Sequence, residues 1–107
     1  MPQLTWSPGG VRDLKRLYEF LGSKDREVAR RAIAAIRQSV LILKRHPEIG
    51  RPDEDDPVGP REWPVRFGSG GYVVLYSIER GEVSILAVRH ARENDYKRIS
   101  DRRPAPR

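Results

Sequence analysis

The chain has 107 residues, 37% hydrophobic and 34% charged, enough for one domain around one small core. No window approaches 18 uncharged apolar residues, which excludes a transmembrane helix, and the lack of cysteine excludes disulfides and thiolate metal sites. The 21 lysines and arginines against 15 acidic residues give a formal charge of +6, which favours acidic partners: nucleic acid, the ribosome or an acidic protein.

The N-terminus, Met1-Pro2-Gln3-Leu4-Thr5-Trp6, lacks the basic and apolar regions of a secretory signal. Together with the missing cysteines this leads us to expect a cytoplasmic protein. Leu4-Thr5-Trp6 is short, apolar and β-prone, suited to an extra strand on a sheet. Ser7-Pro8 then reads as a helix start, with Ser7 as N-cap and Pro8 at the first helical position. Val11, Leu14, Leu17, Tyr18 and Leu21 recur at helical spacing and predict a helix over 9–21 with one apolar stripe. Gly9 and Gly10 weaken its first turn by about 1 kcal/mol each relative to alanine.

Gly22-Ser23-Lys24-Asp25 interrupts the pattern, offering Gly22 as a C-cap and Ser23 or Asp25 as the next N-cap. The second helix is predicted over 26–45, with Ala29, Ile33, Ile36, Val40 and Leu43 as its stripe, widened by Ala32, Leu41 and Ile42. So short a link makes the two helices an antiparallel hairpin. Pro47 disfavours helix at His46, and Ile49-Gly50-Arg51-Pro52 reads as a turn. The run 53–60, with Asp53, Glu54, Asp55 and Asp56, reads as an exposed acidic linker; it lacks the spacing of a calcium loop, and no metal or cofactor is expected.

Three strands follow. Trp63, Val65 and Phe67 alternate with Glu62, Pro64 and Arg66, the period-2 pattern of a strand over 61–67. Pro64 has no N–H for a ladder, so this strand should be an edge or pair only on the side away from Pro64. Gly68-Ser69-Gly70-Gly71 is a hairpin connection rather than a phosphate cradle, because no helix follows it. Tyr72 to Ile78 is apolar at nearly every position, which calls for cover on both faces. Glu79-Arg80-Gly81-Glu82 turns the chain into a last strand, 83–88, which delivers Arg89, His90 and Arg92. The expected fold class is α+β: an N-terminal strand, a helical hairpin and a three-stranded antiparallel meander, β-α-α-β-β-β. A single domain is expected over 1–99, with 100–107 a disordered basic tail.

The order of these pieces resembles the RelE/ParE family of toxins from bacterial type II toxin–antitoxin modules. The resemblance rests on Trp6-Ser7-Pro8 with Asp13-Leu14, Ala29-Arg30-Arg31-Ala32-Ile33 and Pro47-Glu48-Ile49-Gly50-Arg51-Pro52. It continues through Arg61-Glu62-Trp63-Pro64-Val65, Gly71-Tyr72-Val73-Val74-Leu75-Tyr76 and Val88-Arg89-His90-Ala91-Arg92-Glu93, and lies nearer the ParE branch. It implies a small antiparallel sheet packed by a helical hairpin, and a cognate, ParD-like antitoxin as partner.

Two activities occur on that fold: the RelE branch cleaves mRNA in the ribosomal A site, and the ParE branch poisons DNA gyrase. Metal-free RNA cleavage needs groups to move protons and cations for the developing phosphorane charge. Where RelE-type members hold an arginine after glycine and tyrosine in the middle strand, this chain has Val73, and no lysine occurs between Arg45 and Tyr96. If the protein is a nuclease, the resemblance leaves His90, Arg92 and Tyr96 to act. Arg61, Arg66, Arg89 and Arg92 are the candidates for contacting a partner or nucleic acid. The expected function is a ParE-like gyrase-inhibiting toxin with no catalysis of its own; the alternatives are a ribosome-dependent mRNA interferase and a non-toxic binding member of the family.

Overall fold

Ser7 and Asp25 fix where the two helices begin. In the computed structural model, which describes residues 3–91, strand β1 (Leu4–Trp6) leads directly into α1 (Pro8–Gly22). The Ser7 hydroxyl oxygen accepts the Gly10 N–H at 3.1 Å. The Asp25 carboxylate accepts the N–H groups of Glu27 and Val28 at 2.9 and 3.2 Å and opens α2 (Arg26–Ser39). Both caps satisfy amides that a helix N-terminus leaves without a partner.

The second helix is shorter than its apolar pattern predicts. After Ser39 the chain tightens into a 3-10 turn, Val40–Lys44. Residues three apart eclipse in that geometry, so Val40 and Leu43 both reach the core while Leu41 and Ile42 stay exposed.

The acidic run is not a linker. Strand β2 (Arg51–Asp53) pairs antiparallel with β3 (Asp56–Val65), and the Asp53 carboxylate accepts the Asp55 N–H at 2.9 Å in the turn between them. Arg51 reaches across to Glu62 at 2.9 Å. The first strand of the expected meander is therefore longer at its start, and it ends at Val65 rather than Phe67. It is also not an edge strand, since β2 takes that place. Pairing of β2 with β3 stops at Glu62, so Pro64 is flanked by β4 alone, the other arrangement a proline permits.

Strands β4 (Tyr72–Glu79) and β5 (Glu82–His90) complete a five-stranded sheet of order β1-β5-β4-β3-β2, with β1 parallel to β5 and the other pairs antiparallel. Arg80 and Gly81 both have positive φ, 54° and 79°, the primed turn that suits strand twist. Residues 66–71 connect β3 to β4, with Gly68 and Gly71 at φ of 59° and 87°.

Both helices pack on one face of this sheet. Leu14, Leu17, Ile36, Val40 and Leu43 meet Val65, Val74, Tyr76, Ile85 and Val88. Ala29 and Ala32, fully buried, let the helices approach closely. A Cβ on Gly10 would come within 2.6 Å of the Ile85 carbonyl oxygen, so glycine is required where α1 crosses β5. Pairing of β1 with β5 ends at Trp6, after which the Ser7 N–H donates to the Ile85 carbonyl at 3.0 Å. Further along, the Asp13 carboxylate accepts the Val88 N–H at 2.9 Å, so α1 takes over from β1 as the neighbour of β5. Asp13-Leu14 thus supplies one polar and one apolar anchor. Arg92, Tyr96 and the tail 100–107 lie outside the described residues.

Candidate functional site

Tyr76 organises the helix side of the sheet at its far end. Its side chain is fully buried, and its hydroxyl accepts the Gly50 N–H at 2.8 Å while donating to the Pro47 carbonyl at 2.6 Å. A Cβ on Gly50 would overlap that hydroxyl. The Arg61 guanidinium donates to the carbonyls of Glu48 and Gly50 at 3.1 and 3.0 Å. Pro47-Glu48-Ile49-Gly50 is thereby pinned to β3 and β4. Burial pushes the Tyr76 hydroxyl above its ordinary pKa of 10.0, against lowering by the Gly50 N–H and by Arg61. Arg61, a candidate for contacting a partner or nucleic acid, has its guanidinium on backbone carbonyls.

The other candidates are divided between the two faces of the sheet. His90 pairs with Tyr72 on the helix side, their rings in edge contact with centroids 5.6 Å apart. Phe67 packs on the same Tyr72 ring at 6.3 Å. Burial also raises the Tyr72 pKa. Arg89 pairs with Val73, and the alternation of side chains along a strand puts both on the opposite face. Arg66 is exposed in the connection after β3. Among the described residues, then, His90 and Arg89 lie on opposite faces of the sheet.

The face away from the helices carries an apolar centre. Val73 and Leu75 of β4 lie between Pro64 of β3 and Ala87 of β5, with Arg89 beside Val73 and the Arg51–Glu62 ion pair beside Leu75. No helix among the described residues covers this face.

A second surface was missed by sequence reasoning. Between α1, α2 and β1 lies a hollow of about 340 Å³, lined by Trp6, Val11, Leu14, Tyr18 and Ile33 and flanked by Lys15 and Arg37. Val11 and Tyr18 are 52% and 42% exposed. A larger hollow of about 910 Å³ lies at Leu4 of β1, where Leu4, Leu41 and Ile42 meet Lys44 and Arg45. The signal was present in the stripe of α1, which is wider than the side Leu14 and Leu17 bury. Val11 and Tyr18, seven residues apart, form its uncovered margin. The arrangement is an apolar groove with a basic border, suited to an amphipathic segment carrying acidic side chains.

Comparisons with known proteins agree on one family. The profile described as the ParE toxin of the type II toxin-antitoxin system, parDE, matches residues 4–95. The chain is 32% identical over 93 residues to Toxin RelE3 of Caulobacter vibrioides, covering 87% of this chain and 98% of that one. Among solved structures it resembles a chain of the chromosomal ParDE toxin–antitoxin system from P. aeruginosa, with TM-score 0.71 and 24% identity, covering 84% of this chain and 96% of that one; at that identity the likeness concerns the fold. It also resembles a chain of the RelBE2 toxin–antitoxin complex from Mycobacterium tuberculosis, with TM-score 0.60 and 26% identity, covering 84% and 99%.

Proposed function

Because this chain belongs to the ParE toxin family of type II toxin–antitoxin systems, we propose that it is a cytoplasmic toxin held inactive by a cognate antitoxin, and that its target is DNA gyrase rather than ribosome-bound mRNA. The antitoxin lays an amphipathic, acidic segment along the groove bordered by Lys15 and Arg37.

One observation carries the choice of target: Val73 at the centre of the helix-free face, where cleavage of a phosphodiester would need charge stabilisation. A single preorganised donor aimed at a developing anion is worth roughly two to three orders of magnitude in rate. Valine supplies none of it, and no lysine occurs anywhere between Arg45 and Tyr96. His90, one of the residues left to act in the alternative reading, packs against Tyr72 on the other side of the sheet from Arg89. A proton-transfer group has to reach the proton it moves.

The test withholds the antitoxin during expression and follows the supercoiling of a reporter plasmid together with the ends of translated transcripts. Growth arrest accompanied by a loss of normal supercoiling and intact transcripts is expected. Arrest with unchanged supercoiling and new cuts at A-site codons would overturn the proposal. Disappearance of those cuts in His90→Ala would establish the interferase instead.

A further inference from the structure

The sequence of β4 calls for cover on both faces, yet the described residues cover only one. An antiparallel sheet with one solvated face ordinarily alternates apolar-in with polar-out. Here the outward positions of the central strand are the half-buried Val73 and Leu75, next to the half-buried Ala87 and the exposed Pro64, followed by Ser77 and Glu79. Contiguous exposed apolar surface rimmed by charge marks an interaction site. The rim is basic only at the Val73 end, where Arg89 stands beside Val73; Arg51 is matched across the strands by Glu62, and beyond Ser77 the face ends on the paired Glu79 and Glu82. Arg66 follows β3 in the adjoining connection.

We infer that this helix-free face docks the toxin's target through a protein surface that makes an apolar contact and presents acidic side chains to its Val73–Arg89 end. The inference rests on the reading that the toxin works by binding a protein. The chemistry of the face separates protein from RNA. Nucleic acid is held by cations tracking its phosphates and by side chains that reach base edges. The centre formed by Val73, Leu75, Ala87 and Pro64 has neither charge nor a side-chain hydrogen-bonding group. It matches the dry, charge-depleted core of a protein interface, with its charges at the rim. The surface is also distinct from the antitoxin groove, which lies among α1, α2 and β1 on the helix side. Antitoxin affinity and target affinity can therefore be changed separately.

Two substitutions in the full chain, produced with its antitoxin, test this. Leu75→Gln removes the apolar centre and Arg89→Glu reverses the rim charge; should one variant fail to fold, the other still decides. Each is expected to lower affinity for purified gyrase at least tenfold, to abolish growth arrest when antitoxin is withheld, and to change antitoxin affinity less than twofold. A photo-crosslinker at position 75 identifies what covers the face in arrested cells. Folded variants that keep full gyrase affinity and full growth arrest would overturn the inference. So would crosslinks to RNA, or crosslinks confined to residues beyond 91 of the same chain. If the wild-type chain arrests growth without binding gyrase, the gyrase reading fails by itself. The docking face then stands or falls on whether the two variants still arrest growth. A wild-type chain that does neither has no target, and the inference fails with it.

Discussion

Consecutive residues of β4 carry similar side chains to opposite fates. Tyr72, Val74 and Tyr76 point at the helical hairpin and are 5%, 0% and 0% exposed. Val73, Leu75 and Ser77 point the other way and are only half-buried, because no second layer meets them among the described residues. Both faces are apolar, but on one of them the protein's own helices remove that surface from water. There the hydrophobic effect stabilises the fold at roughly 25 cal/mol per Å² buried. On the other face the same term remains available for association. The comparison separates residues that hold the fold together from apolar residues that folding leaves half-buried, and substitutions can sharpen or break it.

The largest effect is expected under the helices. Ile36 is fully buried between α2 and the sheet. Ile36→Asp places an unpaired carboxylate there and costs on the order of 4 kcal/mol or more, a large share of the ~5–15 kcal/mol that holds a typical domain together. The variant should lose its cooperative melting transition by circular dichroism. A melt like that of the parent chain would mean that the hairpin does not pack on this face.

Tyr76→Phe comes next. The phenyl ring keeps its place in the core, but the Gly50 N–H and the Pro47 carbonyl lose their shared partner. Leaving such groups unpaired costs about 1–3 kcal/mol. Thermal melting should drop by roughly 4–8 °C for each kcal/mol lost. An unchanged melting temperature would show that water can replace the hydroxyl.

Alkaline titration probes the same face with no mutation at all. Burial raises the pKa of both Tyr72 and Tyr76 above 10.0. Between that value and the raised folded one, the unfolded chain releases phenolic protons that the folded chain retains. Stability is therefore whole below pH 10 and falls as pH climbs through that window. In Tyr76→Phe the fall should be shallower, leaving the part due to Tyr72. Urea midpoints measured at pH 8 and pH 11 check both statements; equal losses in parent and variant would remove Tyr76 as a source.

Much of this was legible in the sequence, and the exceptions have physical reasons. The helical hairpin, the Ser7 N-cap, β4, β5 and the Arg80-Gly81 turn follow from periodicity and local turn chemistry, while for the second cap the sequence offers both Ser23 and Asp25. The β2–β3 arm did not, because aspartate, proline and glycine are depleted in strands. It is held by the Asp53 turn and by the Arg51–Glu62 pair, the latter a contact between residues 11 apart that no local pattern reveals. Val40–Lys44 keeps the apolar residues of a helix but meets the sheet as a 3-10 turn, which is a tertiary choice. At the candidate site the faces on which the residues lie depend on strand register. Arg61 sits two residues before Trp63 on the helix side, where backbone carbonyls claim it, while Arg89 sits one residue from His90 and faces away from it.

The smallest effect is the sharpest test of the comparison, because it uses one chemical change at two adjacent positions. Val→Thr keeps the branched shape and exchanges a methyl for a hydroxyl. At Val74, fully buried against Val88 and the helices, the hydroxyl has no partner in an apolar core and should cost about 1–3 kcal/mol. At Val73 the hydroxyl can reach water, and threonine suits a strand as well as valine does. The expected change there is within about 0.5 kcal/mol, the range of ordinary surface substitutions. Urea denaturation of the two variants, analysed with a common slope, measures the difference directly. A Val73→Thr loss as large as that of Val74→Thr would mean that the helix-free face is already covered within the folded chain, and the distinction between a stabilising face and a docking face would collapse. A loss confined to Val74→Thr would leave Val73 as apolar surface that folding does not bury.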